Sequence, residues 1–241
     1  MYDVSVRTVR VGVRNLHVTY VQPVTPRHPH YLIVFTTGDG GWHGVNNDVI
    51  EHLASQSYSI AGLSAPDVLR PLKRARRKMT AKQAADLLGA SFAQFRKDLA
   101  IEASARLIVV GFSRGATFVA FTAVHPDLQR ELAGAIAIGL TRRADYLGSI
   151  TPSTIESDIR LDKRRRVLIY PALKLFAHVK VAVIQSTGDR YVSAAESRAL
   201  LGPDTPTRRL YAIEARNHRF GGNREQLIED LDAALRWIER P

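Results

Sequence analysis

Three residues scattered along the chain, Ser113, Asp189 and His218, have the types and the order that turn a hydroxyl into a nucleophile. Ser113 is the centre of Gly111-Phe112-Ser113-Arg114-Gly115, a G-x-S-x-G pentapeptide. A serine hydroxyl is a poor nucleophile at neutral pH, so it needs an imidazole base, and the imidazole needs a carboxylate to orient it. Asp189 stands in S-T-G-D-R, 76 residues after the serine, and His218 in A-R-N-H-R-F-G-G, 29 residues further on. Of the eight histidines, only His125 and His178 compete with His218 after Ser113, and both fit structural elements. The chemistry would be acyl transfer.

Acyl transfer also builds negative charge on a carbonyl oxygen, which two backbone N–H groups should meet. Arg114, directly after the serine, offers one. The segment Thr36-Thr37-Gly38-Asp39-Gly40-Gly41-Trp42 offers the other through Gly38 or Asp39, because three glycines in four positions let amides face a bound group. A glycine-rich turn that only starts a helix is the plain alternative. Gly40, Gly41, Trp42, Arg190 and Arg219 are expected to touch substrate. Arginines also flank every member of the trio: Arg114, Arg190, Arg216 and Arg219. Coincidence in an arginine-rich chain explains this, or else a cationic rim that holds a phosphate or carboxylate. Asp39 is either a turn residue or a partner for a cationic acyl group. No metal or organic cofactor is implied, and G-x-G-x-x-G is absent, which disfavours a dinucleotide site.

The elements that must position these residues can be read from period and punctuation. Residues 2–10 and 14–21 alternate and predict an antiparallel pair at a sheet edge. Residues 31–36, 59–63, 107–111, 133–138, 179–185 and 209–213 read as further strands, the apolar ones as buried on both faces. Helices are predicted over about 45–56, over 81–102 after a Thr80/Gln83 capping box, from near Arg114, after a Ser193/Glu196 capping box, and after an Asn223 cap. The strand–turn–helix setting of G-F-S-R-G is what a nucleophile elbow requires. The stretch 141–177 breaks the rhythm and predicts a small cap inserted over the sheet. Strands alternating with helices make this one α/β domain over 1–241, with a mostly parallel sheet covered on both faces.

T-G-D-G-G-W after the third strand, G-F-S-R-G at the elbow, G-D after strand seven and N-H-R-F-G-G near the end resemble the bacterial virulence-associated VirJ/AcvB family of α/β-hydrolases. The resemblance spans most of residues 30–240 and implies a periplasmic serine hydrolase acting on aminoacylated phosphatidylglycerol such as the lysyl form. It matches Ser113, Asp189 and His218 to the family's triad and Gly38–Trp42 to its signature loop. Thr37 stands where the family usually has serine, and an arginine directly follows the nucleophile.

The 241 residues, 45% hydrophobic and 24% charged, suffice for a sizeable core. Zero cysteines exclude disulfide scaffolds, thiol nucleophiles and cysteine-ligated zinc. No apolar run reaches a membrane span, and the N-terminus lacks the apolar block of a signal peptide. Net charge is +11, and seven positives lie between Arg70 and Lys82, with a second cluster from Lys163 to Arg166. Such blocks attract polyanions. Neither is interleaved with aromatics, so nucleic acid is disfavoured; the plain reading is a solvated basic surface, and the functional one is peripheral contact with anionic membrane or a phosphate-bearing substrate. The expected activity is a serine esterase on a small-molecule or lipid ester. The rival is a non-catalytic binding protein on the same scaffold, holding anionic lipid or nucleic acid through loop 70–82.

Overall fold

The computed structural model describes residues 1–11, 14–68, 81–122, 126–148, 160, 162–164 and 166–240. Ten strands are named in chain order: β1 Tyr2–Val11, β2 Arg14–Pro23, β3 Tyr31–Thr36, β4 Ser59–Leu63, β5 Arg106–Phe112, β6 Leu132–Ile138, β7 Arg143–Gly148, β8 Arg166–Leu168, β9 Lys180–Ser186 and β10 Arg208–Ile213. The helices are α1 Val45–Ser55, α2 Ala81–Asp98, α3 Arg114–Thr122, α4 Pro126–Glu131, α5 Ile169–Leu173, α6 Ala194–Leu201 and α7 Arg224–Glu239.

Eight strands form one sheet in the order β1-β2-β4-β3-β5-β6-β9-β10. β1 and β2 pair antiparallel at the edge, β2 runs antiparallel to β4, and every later pairing is parallel. The continuous apolar strands are explained by two-sided burial. Leu32 and Val34 of β3 with Leu107 and Val109 of β5 face one core, which Phe92 and Phe95 of α2 and Val119 of α3 complete. Ile33, Phe35, Ile108 and Val110, the alternate residues, face a second core built with Val49 and Leu53 of α1 and Leu227 and Leu231 of α7. Side chains alternate across a strand, so one sequence feeds both layers. Because parallel strands all point one way, the loops that follow β3, β5, β9 and β10 open at the same edge.

Some boundaries differ from the sequence reading. The long helix stops at Asp98, not at 102, and Ala100 with φ 51° turns the chain out of it. Asn223 does not cap α7 with its side chain; its amide donates to the Glu214 carbonyl at 3.1 Å. Ser193 does cap α6, accepting from Glu196 N at 3.2 Å. In the stretch expected to form a cap, β7 and β8 pair as a separate two-stranded sheet, and Ala144, Val167, Ile169 and Tyr170 are buried in the first core. Residues 149–159 of that stretch and loop 70–80 lie outside the described residues, so the expectation for the basic loop does too. Among the described residues no helix is long and apolar enough to cross a membrane.

Candidate active site

Ser113 sits between the end of β5 and the start of α3, and its φ of 54° places a non-glycine residue in the left-handed region. That conformation costs about 1–3 kcal/mol and persists only where the surroundings enforce it. Here they do. Ser113 N donates to the Ile138 carbonyl at 2.8 Å, pinning the turn to the end of β6. A Cβ on Gly111 would strike the backbone of Gly115, and a Cβ on Gly115 would strike the carbonyls of Thr36 and Thr37. Both glycines of the pentapeptide are therefore demanded by close backbone approach.

The two loops beyond β9 and β10 bring the other members of the trio to this turn. His218 Nε2 lies 2.7 Å from Ser113 Oγ, and His218 Nδ1 lies 2.6 Å from Asp189 Oδ2. An ionised carboxylate can only accept, so Nδ1 carries the proton and Nε2 is left to accept from the serine hydroxyl. The Asp189 side chain is fully buried. It receives two further donors, Tyr191 N on Oδ1 at 2.8 Å and Gln185 Nε2 on Oδ2 at 2.8 Å. Gln185, the penultimate residue of β9 and itself buried, also accepts from Leu140 N at 2.9 Å and donates to Val192 O at 2.5 Å.

The imidazole is held on its faces as well. The Phe112 ring lies 5.3 Å from it and the Tyr191 ring meets it edge-on at 4.9 Å. A Cβ on Gly139 would come within 3.0 Å of His218 Cε1, so the ring needs a glycine there. Asn217 Oδ1 accepts from Arg219 N and Gly221 N, at 2.9 and 3.1 Å, and so fixes the loop that carries the histidine.

The glycine loop after β3 is arranged differently from the sequence expectation. Gly38 lies against the serine turn, where a Cβ would be 3.2 Å from that of Ser113. Its N–H, however, is not available to a ligand: it donates to Asn46 Oδ1 at 3.0 Å, inside the fold. Asn46 is buried, and its amide nitrogen in turn donates to the His43 carbonyl at 3.1 Å. Thr37 is buried too, its hydroxyl accepting from Ala65 N at 3.0 Å. Asp39, the residue after Gly38, lines the cleft together with Arg114. Trp42 does not face it; its ring packs against Gly62 and Phe35 in the second core. Gly41, with φ 67°, turns the chain near Ser64, while Gly40 reaches the cleft.

Ser113 and His218 open into a cleft of about 950 Å³, lined by seven arginines and two carboxylates. Four of these arginines pair with carboxylates. Arg114 Nε pairs with Asp39 Oδ1 at 2.5 Å, and Arg142 pairs with Glu196. Arg143 and Arg166 lie 3.5 and 2.7 Å from Asp162. Hydrogen bonds from the Arg166 backbone N–H and guanidinium hold the Asp162 carboxyl down at about 2. Arg190, Arg216 and Arg219 line the cleft as well. Of these sequence reasoning anticipated the arginines next to the trio, but it missed Arg142, Arg143 and Arg166, and also Asn46, Gln185 and Tyr191.

A mainly parallel sheet flanked by helices, with a serine at a strained strand-to-helix turn and strand-end loops gathered over it, is the α/β-hydrolase fold. Solved structures of similar shape belong to it. A Klebsiella pneumoniae protein described as a dienelactone hydrolase aligns with all of this chain and all of its own, at 13% identity and a TM-score of 0.69. An esterase from Pyrococcus furiosus covers 98% of this chain and is itself 90% covered, at 14% identity and TM-score 0.67. Est1E from Butyrivibrio proteoclasticus gives 98% and 99% coverage, 14% identity and TM-score 0.67. Residues 30–196 match the family of bacterial virulence protein VirJ, and the chain belongs to that family. The matched span includes Ser113 and Asp189 and ends before His218. No curated protein matches the sequence.

Proposed function

We propose that this protein is a serine hydrolase that cleaves a carboxylic ester through an acyl-enzyme. The observation that carries the reading is the unbroken line Ser113 Oγ–His218 Nε2, His218 Nδ1–Asp189 Oδ2, with both contacts between 2.6 and 2.7 Å. Ser113 Oγ attacks the ester carbonyl while its proton passes to Nε2. The oxyanion is met by the N–H groups of Asp39 and Arg114. As the tetrahedral adduct collapses, the bond to the alcohol oxygen breaks, and Nε2 returns the proton to that oxygen. Water then adds to the acyl-enzyme by the same route, releasing the acid and restoring Ser113. Asp189 orients His218 throughout and stabilises the imidazolium.

A fluorophosphonate probe should label Ser113 of the parent protein and no residue of Ser113→Ala. The variant should lose short-chain ester hydrolysis by several orders of magnitude. Undiminished labelling or turnover in Ser113→Ala would overturn the assignment.

The finer reading follows the family resemblance: an aminoacylated phospholipid substrate such as lysyl-phosphatidylglycerol, met in the bacterial periplasm, with peripheral contact of the basic segment 70–82 on anionic membrane. The positive charge of the chain supports the contact. A cationic acyl end would find both cleft carboxylates already paired with Arg114 and Arg142, and would have to compete for them.

A further inference from the structure

The large sheet ends on β1, and among the described residues β1 pairs with β2 alone. The Met1 carbonyl accepts from Val24 N at 3.2 Å, one step beyond the Tyr2–Pro23 pair of that ladder. Bonding direction alternates along an antiparallel strand, so the odd-numbered residues of β1 turn their amides toward β2. Tyr2, Val4, Val6 and Thr8 turn theirs outward, where they form a template for a further strand.

Side chains alternate as well. Val4 stands opposite Val21, which is buried in the second core, yet Val4 and Val6 are 59% and 69% exposed. They carry the apolar face of the sheet to its rim. On the other face Val9 and Val11 are buried in the first core, while Asp3 and Arg7 are exposed. Arg7 rests over the Tyr20 ring at 5.6 Å and donates to the Asp98 carbonyl at 3.4 Å, and a guanidinium has further donors beyond these. Asp3 has no ion-pair partner among the described residues.

Charge commonly blunts an exposed edge, but here the two signs are placed to match. Outward amides can bond only to outward amides, so a two-fold antiparallel pairing of two copies must be centred on a residue. Centred on Asp3 or on Arg7, it would set like charges face to face. Centred on Ser5, it sets Asp3 of each copy opposite Arg7 of the other, Val4 opposite Val6, and Tyr2 opposite Thr8. Opposite charges and apolar groups in these positions stabilise neighbouring strands.

We infer that β1 is a docking edge for a second copy of this chain, the two sheets joining antiparallel over residues 2–8 about an axis at Ser5. That axis stands across the sheet, so the parallel strands of the two copies run in opposite directions and their clefts open at opposite edges. β5, which leads to Ser113, is the fourth strand in from β1, and the joint leaves both clefts uncovered. One strand from each copy makes a joint smaller than the roughly 1,200 Å² of a stable interface, which puts dissociation at about micromolar concentration or above.

Sedimentation equilibrium of the full chain from about 1 to 300 μM tests it. The parent should pass from monomer to dimer with no larger species, because an isologous joint closes on itself. Val4→Pro removes an outward N–H and spares the ladder to β2, so the dimer should be lost over that range while the melting temperature holds. Asp3→Arg should weaken association by roughly tenfold or more, and so should Arg7→Glu. An equimolar mixture of those two variants restores opposite charges at both pairs and should associate about as tightly as the parent. Val4→Pro and Asp3→Arg remain decisive even if loss of the Tyr20 contact unfolds Arg7→Glu. A parent that stays monomeric throughout overturns the inference and leaves the edge to a strand of another protein. So does a dimer that Val4→Pro and Asp3→Arg leave at the parental affinity, or a mixture no tighter than either charge variant alone.

Discussion

Asp189 accepts three hydrogen bonds while buried, and only one of them comes from the imidazole it orients. A carboxylate out of water is tolerated only when its lone pairs are satisfied. Gln185 supplies one of those donors and is itself locked by Leu140 N and Val192 O, so it acts as a positioning residue through the carboxylate. Gln185→Leu should lower kcat by about ten- to a hundredfold, since a hydrogen bond to a charged group contributes roughly 1.5–3 kcal/mol. KM should change little, because Gln185 is buried away from the cleft. If KM rises while kcat holds, or if only the melting temperature moves, Gln185 is merely structural. The trio itself was legible because serine, acid and histidine each follow a strand in chain order. Gln185 was not: within an apolar strand, nothing local distinguishes a glutamine that reaches a neighbouring loop from one that points to solvent.

Among the elements, the loop from β3 to α1 lies beside Ser113, but its amides are arranged differently from the expectation. Three glycines suggested that any of their amides could face a ligand, but the Gly38 N–H is taken by Asn46 at the start of α1. That bond anchors the loop one residue before Asp39, which lines the cleft. Asn46 sits in a helical pattern where its polarity reads as surface, yet it is buried. Asn46→Ala should leave the Gly38 N–H without its partner, which costs about 1–3 kcal/mol. Melting should fall by roughly 2–12 °C for a chain of this size. Ester turnover measured well below that temperature should fall further, roughly tenfold, as the adjacent donor loses its place; loss of a whole donor would cost 10²–10³. A variant that melts earlier but turns over at the parent rate would show that the clamp does not serve the oxyanion. Other boundaries were hidden for a similar reason. The end of α2 depends on Ala100 adopting a left-handed φ that its type does not announce, and Arg142, Arg143 and Arg166 reach the cleft only because β7 and β8 fold back beside it.

At the scale of the whole molecule, charge is concentrated in two places with different physical consequences. In the cleft, seven arginines line the same space as Ser113 and His218. Between Arg70 and Lys82, seven positives occur in thirteen positions of sequence, too many for the chain's acids nearby to offset. Anionic lipid attracts each lysine or arginine near its surface by about 1 kcal/mol, and the attraction is screened within a Debye length of about 8 Å at physiological salt. Replacing Lys73, Arg74, Arg76 and Arg77 with glutamine should therefore weaken binding to vesicles rich in phosphatidylglycerol by roughly ten- to a thousandfold at low salt. The difference should largely vanish at high salt, where the parent also dissociates. Co-sedimentation at two salt concentrations decides the matter. Equal vesicle binding by the parent and the quadruple variant would mean that segment 70–82 does not hold the protein on a membrane.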